Sequence, residues 1–309
     1  MWFHLRRKTT GRLALELWPE IRRTVLVAGS GRSGTTWLAQ MLNYDNRFRV
    51  LFEPFRPDGG HGVPALPAYI YLRKNEENSE VFKLVSNILL GRIHSPWIDQ
   101  YNVRFFSLRR LVKDIHLNLL LGWMQNKFPD LKIVWILRHP FAVALSKTIA
   151  HQKNGSWAPA IHRFLENDAF RDGVLQPFLS ELTDFPKMDI WGQHVWRWSI
   201  ENYVPLVQLK KDKICTVHYE HLCQNPNKEL TRIFDYLDMT IPKGIEKSFN
   251  RPSPLARETS AICLKQDLVE SWLDRVNKEQ VYDGVSILKK FGLEKLYDQY
   301  PMPHVLNSA

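Results

Sequence analysis

Hydrophobic residues form five short runs along the chain. The runs are TVLVAGS from Thr24, FRVLFEP from Phe48, RRLVKDI from Arg109, KIVWILR from Lys132 and KICTVHYE from Lys213. They are rich in Val, Ile, Leu and aromatic residues and alternate little with polar residues. This pattern is typical of parallel strands that are buried on both faces.

Amphipathic segments follow three of these runs. Apolar residues recur at helical spacing from Trp37 to Leu42, Pro140 stands where a first helical turn tolerates proline, and Asn225 begins a segment with one apolar face. The alternation of strands and helices predicts an α/β, P-loop-type three-layer fold, in which helices flank a central parallel sheet. Since no repeat or linker divides the chain, we expect one domain over residues 24–309, preceded by an N-terminal extension of residues 1–23.

Composition narrows the class of partner. The chain has 309 residues, 44% of them hydrophobic, which is enough for a full core. A formal charge of +10 favours anionic partners such as nucleic acid, acidic polysaccharide, a lipid surface or a nucleotide with several phosphates. The densest basic cluster, Arg6-Arg7-Lys8, is too short for a nucleic-acid arm, so we expect no nucleic-acid partner.

The cysteines and the opening segment indicate a compartment. Three scattered cysteines, Cys215, Cys223 and Cys263, suit neither a disulfide framework nor a zinc site and favour reduced thiols. Charged residues interrupt the opening segment, and no apolar stretch is long enough to span a bilayer. We therefore expect a cytoplasmic protein without a signal peptide or a transmembrane segment.

The first run ends in a glycine-rich turn, SGRSGTTW, which leads into a helix near Thr35. Backbone N–H groups and a helix N-terminus converge there, which predicts an anion site rather than a corner that only packs. The spacing from Gly29 to Gly34 fits the nucleotide-binding pattern G-x-x-x-x-G-K-[ST], but Thr35 and Thr36 stand where the Lys and the hydroxyl residue belong. The cation has moved into the loop, at Arg32.

This displacement weakens an ATPase interpretation. An ATPase loop uses its Lys on the β- and γ-phosphates and its hydroxyl on Mg²⁺. Asp114 follows Lys113 in the third run, and the fourth run ends in Arg138, so no apolar strand ends in a convincing metal-binding Asp. We expect a reaction without metal. The alternatives are a Mg²⁺-dependent P-loop kinase or NTPase and a non-catalytic module that binds polyanions.

Two motifs carry a resemblance to a known family. GRSGTTW resembles the 5′-phosphosulfate loop of the sulfotransferases, which transfer a sulfuryl group from 3′-phosphoadenosine 5′-phosphosulfate (PAPS) to an acceptor hydroxyl or amine. LRHPFAVALS resembles the 3′-phosphate segment of the family, and its matching residues are Arg138 and Ser146. The resemblance extends from about Thr24 to Leu237. Arg32 and the FEPF segment place the chain nearer the carbohydrate, tyrosyl-protein and bacterial branches than the cytosolic phenol branch.

The resemblance implies roles for the nucleotide-binding residues. Backbone amides and hydroxyls of four consecutive residues should hold the 5′-phosphosulfate: Ser33, Gly34, Thr35 and Thr36. Arg32 should stabilise charge on the bridging oxygen. Trp37 resembles a tryptophan that stacks on adenine, although a core position is an equal alternative, and Tyr219 resembles a tyrosine at the adenine edge. The implied product is adenosine 3′,5′-bisphosphate.

The acceptor must lose a proton, so a general base should face the donor. Glu53 lies where tyrosyl-protein, bacterial and carbohydrate enzymes carry a Glu, and it is the favoured base. His116 is the alternative base or an acceptor-orienting group. Glu53 pairing with an Arg, or His116 capping a helix, would be structural roles instead. A carbohydrate, lipid, peptide or small natural product would each suit the implied acceptor.

Overall fold

The computed structural model describes residues 15–16, 18–57, 63–249, 251–253, 255–256 and 262–304, with backbone alone at 15, 16, 183 and 184. Much of the predicted N-terminal extension and parts of the loops after residues 57 and 249 therefore lie outside the described residues. A central sheet contains five strands: β1 (Thr24–Ala28), β2 (Phe48–Phe52), β3 (Arg109–Asp114), β4 (Lys132–Leu137) and β5 (Cys215–His218). All the strands are parallel, in the order β2-β3-β1-β4-β5. Each of the five hydrophobic runs forms one of these strands, so the predicted fold class is confirmed.

Helices cover both faces of the sheet. Their bounds are α1 (Thr35–Leu42), α2 (Ser79–Leu89), α3 (Leu121–Lys127), α4 (Pro140–Asn154), α5 (His162–Leu165), α6 (Ile190–Gln208), α7 (Tyr219–Gln224), α8 (Pro226–Tyr236) and α9 (Lys278–Lys290). Two short strands, Leu15–Glu16 and Phe106–Ser107, form a separate parallel pair. Across the described ranges, no helix has the length and apolar character needed to cross a membrane.

Alternating side chains of each strand feed two separate cores. In β1, Leu26 and Ala28 belong to the core that includes α3, α4 and α6, whereas Val25 and Val27 belong to the core that includes α1 and α8. Successive side chains of a strand point to opposite faces, so a strand covered on both faces must be apolar throughout. This requirement explains why the runs show no polar alternation.

The strand order creates a crevice at the carboxyl end of β1. The chain passes from β1 to the edge strand β2, returns to β3 beside β1, and then crosses to β4 on the other side of β1. Loops after β1, β3 and β4 therefore leave the same edge of the sheet in diverging directions. Ligands of open α/β sheets bind at such a switch point, outside the carboxyl ends of the strands.

A buried ion pair anchors β2, which is the outermost strand on one side of the sheet. Arg49 in β2 donates from Nε to Asp99 Oδ1 at 2.9 Å and from Nη1 to the Gly91 carbonyl at 2.6 Å. Both side chains are almost fully buried. Because an edge strand has a neighbouring strand on one side alone, this pair adds to the lateral contacts of β2, which also include two hydrogen bonds between the Val50 backbone and the Asn102 side chain.

Candidate active site

The turn after β1 has an unusual backbone conformation. Arg32 and Gly34 adopt φ angles of 77° and 93°. Gly34 is the N-cap of α1 and offers no side-chain cap, so the first N–H groups of the helix are available to a ligand. A Cβ on Gly34 would lie 2.7 Å from Cδ2 of Tyr219. The absence of a side chain at Gly34 therefore allows the tyrosine ring to pack on the loop.

The two motifs that resemble phosphate-binding segments meet in space. Arg32 Nε donates to Ser146 Oγ at 3.0 Å, and Arg138 Nη1 donates to the Arg32 carbonyl at 3.3 Å. The Arg138 guanidinium also lies 4.2 Å from the ring centroid of Tyr219. No described carboxylate forms an ion pair with Arg138. The loop after β1 and the segment from Arg138 to Ser146 thus form one surface, which carries the positive charges of Arg32 and Arg138.

Trp37 and Tyr219 stand side by side next to this surface. Their ring centroids are 5.6 Å apart with an interplanar angle of 58°. Both rings belong to the core on the α1 side and also line the cleft, and burial raises the pKa of Tyr219. Within the described chain, the buried Trp37 indole N–H and the buried Ser33 hydroxyl have no hydrogen-bond partner. Several other buried indole N–H groups of the described chain, among them those of Trp135 and Trp196, share this feature.

Glu53 and Lys113 form an ion pair at the ends of β2 and β3. Lys113 Nζ contacts Glu53 Oε1, and Glu53 N donates to the Lys113 carbonyl at 2.7 Å. Lys113 is 2% exposed, and Glu53 has a φ angle of 43°. The partner of Glu53 is therefore Lys113, whereas the structural alternative had paired this carboxylate with an Arg. Both side chains line the same cleft as Arg32.

His116 lies near this pair, but its imidazole faces Asp114. His116 N donates to Asp114 Oδ1 at 2.7 Å, and Nδ1 of the ring is 3.1 Å from the same oxygen. Asp114 Oδ2 accepts from Phe55 N at 2.9 Å, so the carboxylate ties the turn after β2 to the turn after β3. Burial alone would raise the pKa of Asp114, but the hydrogen bonds and charge of His116 outweigh it, and the pKa is lowered.

One cleft at the carboxyl edge of the sheet brings the predicted residues together. It encloses about 1220 Å³, counted with the solvent at its mouth. All the predicted site residues line it except Ser33 and His116. In the part of the chain that the structure describes, no three His, Cys, Asp or Glu side chains stand close enough to hold a metal ion.

The structure also shows a buried ionic cluster beneath the loop that the sequence interpretation missed. Glu201 in α6 accepts from Arg197 Nε at 2.7 Å and from Lys147 Nζ at 3.4 Å. The next residue, Asn202, donates to Ser30 Oγ at 2.9 Å. The cluster thus fixes the start of the glycine-rich turn after β1. The i,i+4 spacing of Arg197 and Glu201 was the sequence signal that could have shown their ion pair.

Burial and charge shift the pKa values in this cluster. Burial lowers the pKa of Lys147 to about 7, and the neighbouring Arg197 acts in the same direction. Burial would raise the pKa of Glu201, but the charges of Lys147 and Arg197 outweigh this effect and lower it to about 2. Glu201 is therefore a permanent anion at neutral pH.

Comparison with protein families agrees with the two motifs. The model of a family described as the sulfotransferase family matches residues 24–243. Because this match covers more than half of the chain, the protein belongs to the sulfotransferase family. None of the proteins with curated descriptions matches the sequence significantly.

Solved structures of sulfotransferases resemble the chain at low sequence identity. The sulfotransferase domain of the Synechococcus PCC 7002 olefin synthase is 16% identical, with 87% of this chain and 94% of that chain covered and a TM-score of 0.46. Mouse sulfotransferase SULT7A1 complexed with PAP is 15% identical, with 93% and 91% covered and a TM-score of 0.45. Sulfotransferase STF9 from Mycobacterium avium is 13% identical, with 92% and 78% covered and a TM-score of 0.47.

Proposed function

We propose that the cleft binds PAPS and that the enzyme transfers its sulfuryl group to an acceptor hydroxyl. The observation that supports this proposal most is the meeting of the two motifs. Arg32 and Ser146 are far apart in sequence, yet Nε of one donates to Oγ of the other at 3.0 Å, and Arg138 contacts the same loop. PAPS carries two separate anionic groups, and two cationic segments in one cleft match this distribution of charge.

The residues present suit such a nucleotide. The N-terminus of α1, which has no side-chain cap, and the Arg32 guanidinium would hold the 5′-phosphosulfate. Arg138 and Ser146 would hold the 3′-phosphate, and Trp37 with Tyr219 would contact the adenine.

Bound PAPS supplies the sulfuryl group, and the side chains of the cleft supply charge and proton transfer. Arg32 stabilises the negative charge that develops on the bridging oxygen. Glu53 accepts the proton of the acceptor hydroxyl, and Lys113 holds the Glu53 carboxylate in place through their ion pair. His116 is the alternative base or an acceptor-orienting group. We propose direct in-line transfer without metal and without a covalent enzyme intermediate.

Calorimetric titration with adenosine 3′,5′-bisphosphate, and separately with ATP and Mg²⁺, tests the donor site. The bisphosphate should bind whether or not a chelator is present. Arg138→Ala should weaken it by roughly 10- to 150-fold, because a hydrogen bond to a charged group contributes about 1.5–3 kcal/mol. Arg22→Ala is the matched control, since this arginine is 71% exposed and precedes β1, at the opposite end of the strand from the cleft. Preference for ATP with Mg²⁺, or full affinity in Arg138→Ala, would contradict the proposal.

A further inference from the structure

Three non-glycine residues that line the cleft have backbones in the left-handed region. They are Arg32, Glu53 and Trp157, with φ angles of 77°, 43° and 66°. Such conformations are strained and persist where the surrounding structure enforces them, often at functional sites. Arg32 and Glu53 already have proposed roles, whereas Trp157 has none.

The indole of Trp157 is held firmly on the side that faces the protein. Its Cη2 and Cζ3 atoms lie 2.4 Å from the position that a Cβ on Gly31 would occupy, so the ring edge rests on the loop backbone next to Arg32. Lys147 Nζ and Arg197 Cζ lie 5.8 and 5.9 Å from the centroid of the Trp157 ring. Cations at this distance attract an aromatic face and fix its orientation. The rest of the ring is partly exposed and lines the cleft.

Partly exposed apolar side chains continue this surface. Ile115 follows Lys113 by two residues, and its Cδ1 lies 3.4 Å from the same Cβ position on Gly31. Leu145 and Ile149 are one turn apart on α4 and also line the cleft. An apolar wall therefore adjoins the loop that carries Arg32, in the same cleft as Glu53.

Most of the polar side chains that line the cleft, tryptophans aside, belong to the proposed donor and base sites; those that do not are Ser253, Ser271 and Arg275. Among the described lining residues there is no Asn, Gln, Asp or His side chain, and the charged ones besides Arg275 already belong to the proposed donor and base sites. A sugar ring would leave several hydroxyl groups without partners on this wall, which costs free energy for every group that is desolvated. A flat apolar ring would instead gain contact area with an aromatic wall.

We propose that Trp157, together with Ile115 and Ile149, binds the apolar ring of the acceptor. The acceptor class is then an uncharged phenol or fused-ring alcohol rather than a polyhydroxylated sugar, although Arg32 and the FEPF segment resemble branches other than the phenol branch. Trp157 is a specificity-determining residue in this proposal, which rests on the proposed sulfotransferase function. Its rigid attachment to the loop would place the acceptor hydroxyl beside the proposed reaction centre.

Equilibrium titration of 2-naphthol into the enzyme saturated with adenosine 3′,5′-bisphosphate tests the acceptor site. The wild type should bind 2-naphthol more tightly than N-acetyllactosamine. Trp157→Ala should weaken 2-naphthol binding by about tenfold or more, the size typical of a lost aromatic stacking contact, and Trp157→Phe should retain most of the affinity. Trp18→Ala is the matched control, because Trp18 is a partly exposed tryptophan that does not line the cleft.

The two ligands separate the two proposals. Bisphosphate affinity should be the same in the wild type, Trp157→Ala and Trp157→Phe, which also shows that the variants fold. Failure of the wild type to bind the bisphosphate would contradict the donor site. If the wild type binds the bisphosphate but 2-naphthol binds equally well to the wild type and Trp157→Ala, the acceptor site alone is overturned. Tighter binding of N-acetyllactosamine than of 2-naphthol would overturn it as well. Loss of both ligands in Trp157→Ala, with Trp157→Phe no better, would show that Trp157 supports the loop and does not bind the acceptor.

Discussion

Replacing Gly34 by alanine should destabilise the fold through two separable effects. The left-handed conformation at φ 93° costs an L-residue about 1–2 kcal/mol. The new Cβ would also lie 2.7 Å from Tyr219 Cδ2 and 3.0 Å from Cε2. The ring is held by the Arg138 guanidinium 4.2 Å from its centroid, so relief requires displacement of packed groups, at about 1–3 kcal/mol. The expected total is about 2–5 kcal/mol.

Gly155→Ala is a matched control for the backbone effect. Gly155 ends α4 with a φ angle of 68°, and no heavy atom lies within 4 Å of its Cβ position. This variant should therefore lose about 1–2 kcal/mol from the backbone alone. Equilibrium unfolding in urea, followed by far-UV circular dichroism, gives both free energies if the m-values agree. The same loss in both variants would refute the argument that Tyr219 packs on the loop after β1.

A double-mutant cycle locates the steric effect. In the background of Tyr219→Ala, the obstacle to the new Cβ is removed, so Gly34→Ala should cost about 1–2 kcal/mol, as the backbone effect alone does. The coupling free energy between the two positions should then equal the extra loss that Gly34→Ala shows over Gly155→Ala. An undetectable coupling would mean that another neighbour of the loop produces the destabilisation.

Three further predictions concern the base and the buried charges. Glu53→Gln should lower turnover with PAPS and 2-naphthol by about 10²- to 10⁴-fold, whereas His116→Ala should keep most of it; the reverse result would move the base to His116. The pKa of Glu201 is lowered from 4.5 to about 2, so its stabilising effect is present above pH 4.5 and is lost as the pH falls towards 2. Glu201→Gln should remove that pH dependence of the unfolding free energy and cost about 3–5 kcal/mol at pH 7, because the buried Arg197 guanidinium loses its charged partner. Asp99→Asn should cost a similar amount by breaking the buried pair with Arg49, and an unfolding free energy within 1 kcal/mol of the wild type would contradict this estimate.

The strands were predictable because the physical requirement on them is local. A strand covered on both faces must be apolar at every position, and that requirement is visible in a run such as KIVWILR. The helix that places Ser146 was predictable for a similar reason, since Pro140 marks its first turn and Ser146 follows in the second. The structure brings Ser146 within 3.0 Å of Arg32, although whether these residues hold phosphates stays a prediction.

Other parts of the site depend on contacts between distant segments, which local patterns do not encode. Trp157 lies in an irregular segment after α4, and it becomes part of the cleft because Gly31 leaves room for its ring. Glu201 lies in α6, where its buried position reflects packing against α4 rather than any apolar periodicity of its own sequence. A partly aromatic, partly charged segment such as HVWRWSIENY therefore indicates burial without indicating which side chains meet.

The loop after β1 has its cation at Arg32 rather than at the position of an ATPase lysine, and the geometry gives a reason. Thr35 opens α1 and is 3% exposed, with its Cγ2 lying 3.2 Å from the Cβ position of Gly29. A lysine there would have to replace this contact with Gly29 before its side chain turned into the cleft, which Thr35 also lines. Arg32 instead precedes the helix in a left-handed conformation, from which its guanidinium reaches Ser146 on α4. Arg32 thus belongs to one of the segments that we assign to the nucleotide and contacts the other through Ser146. A positive charge between these two segments suits a ligand with anionic groups at two separate places.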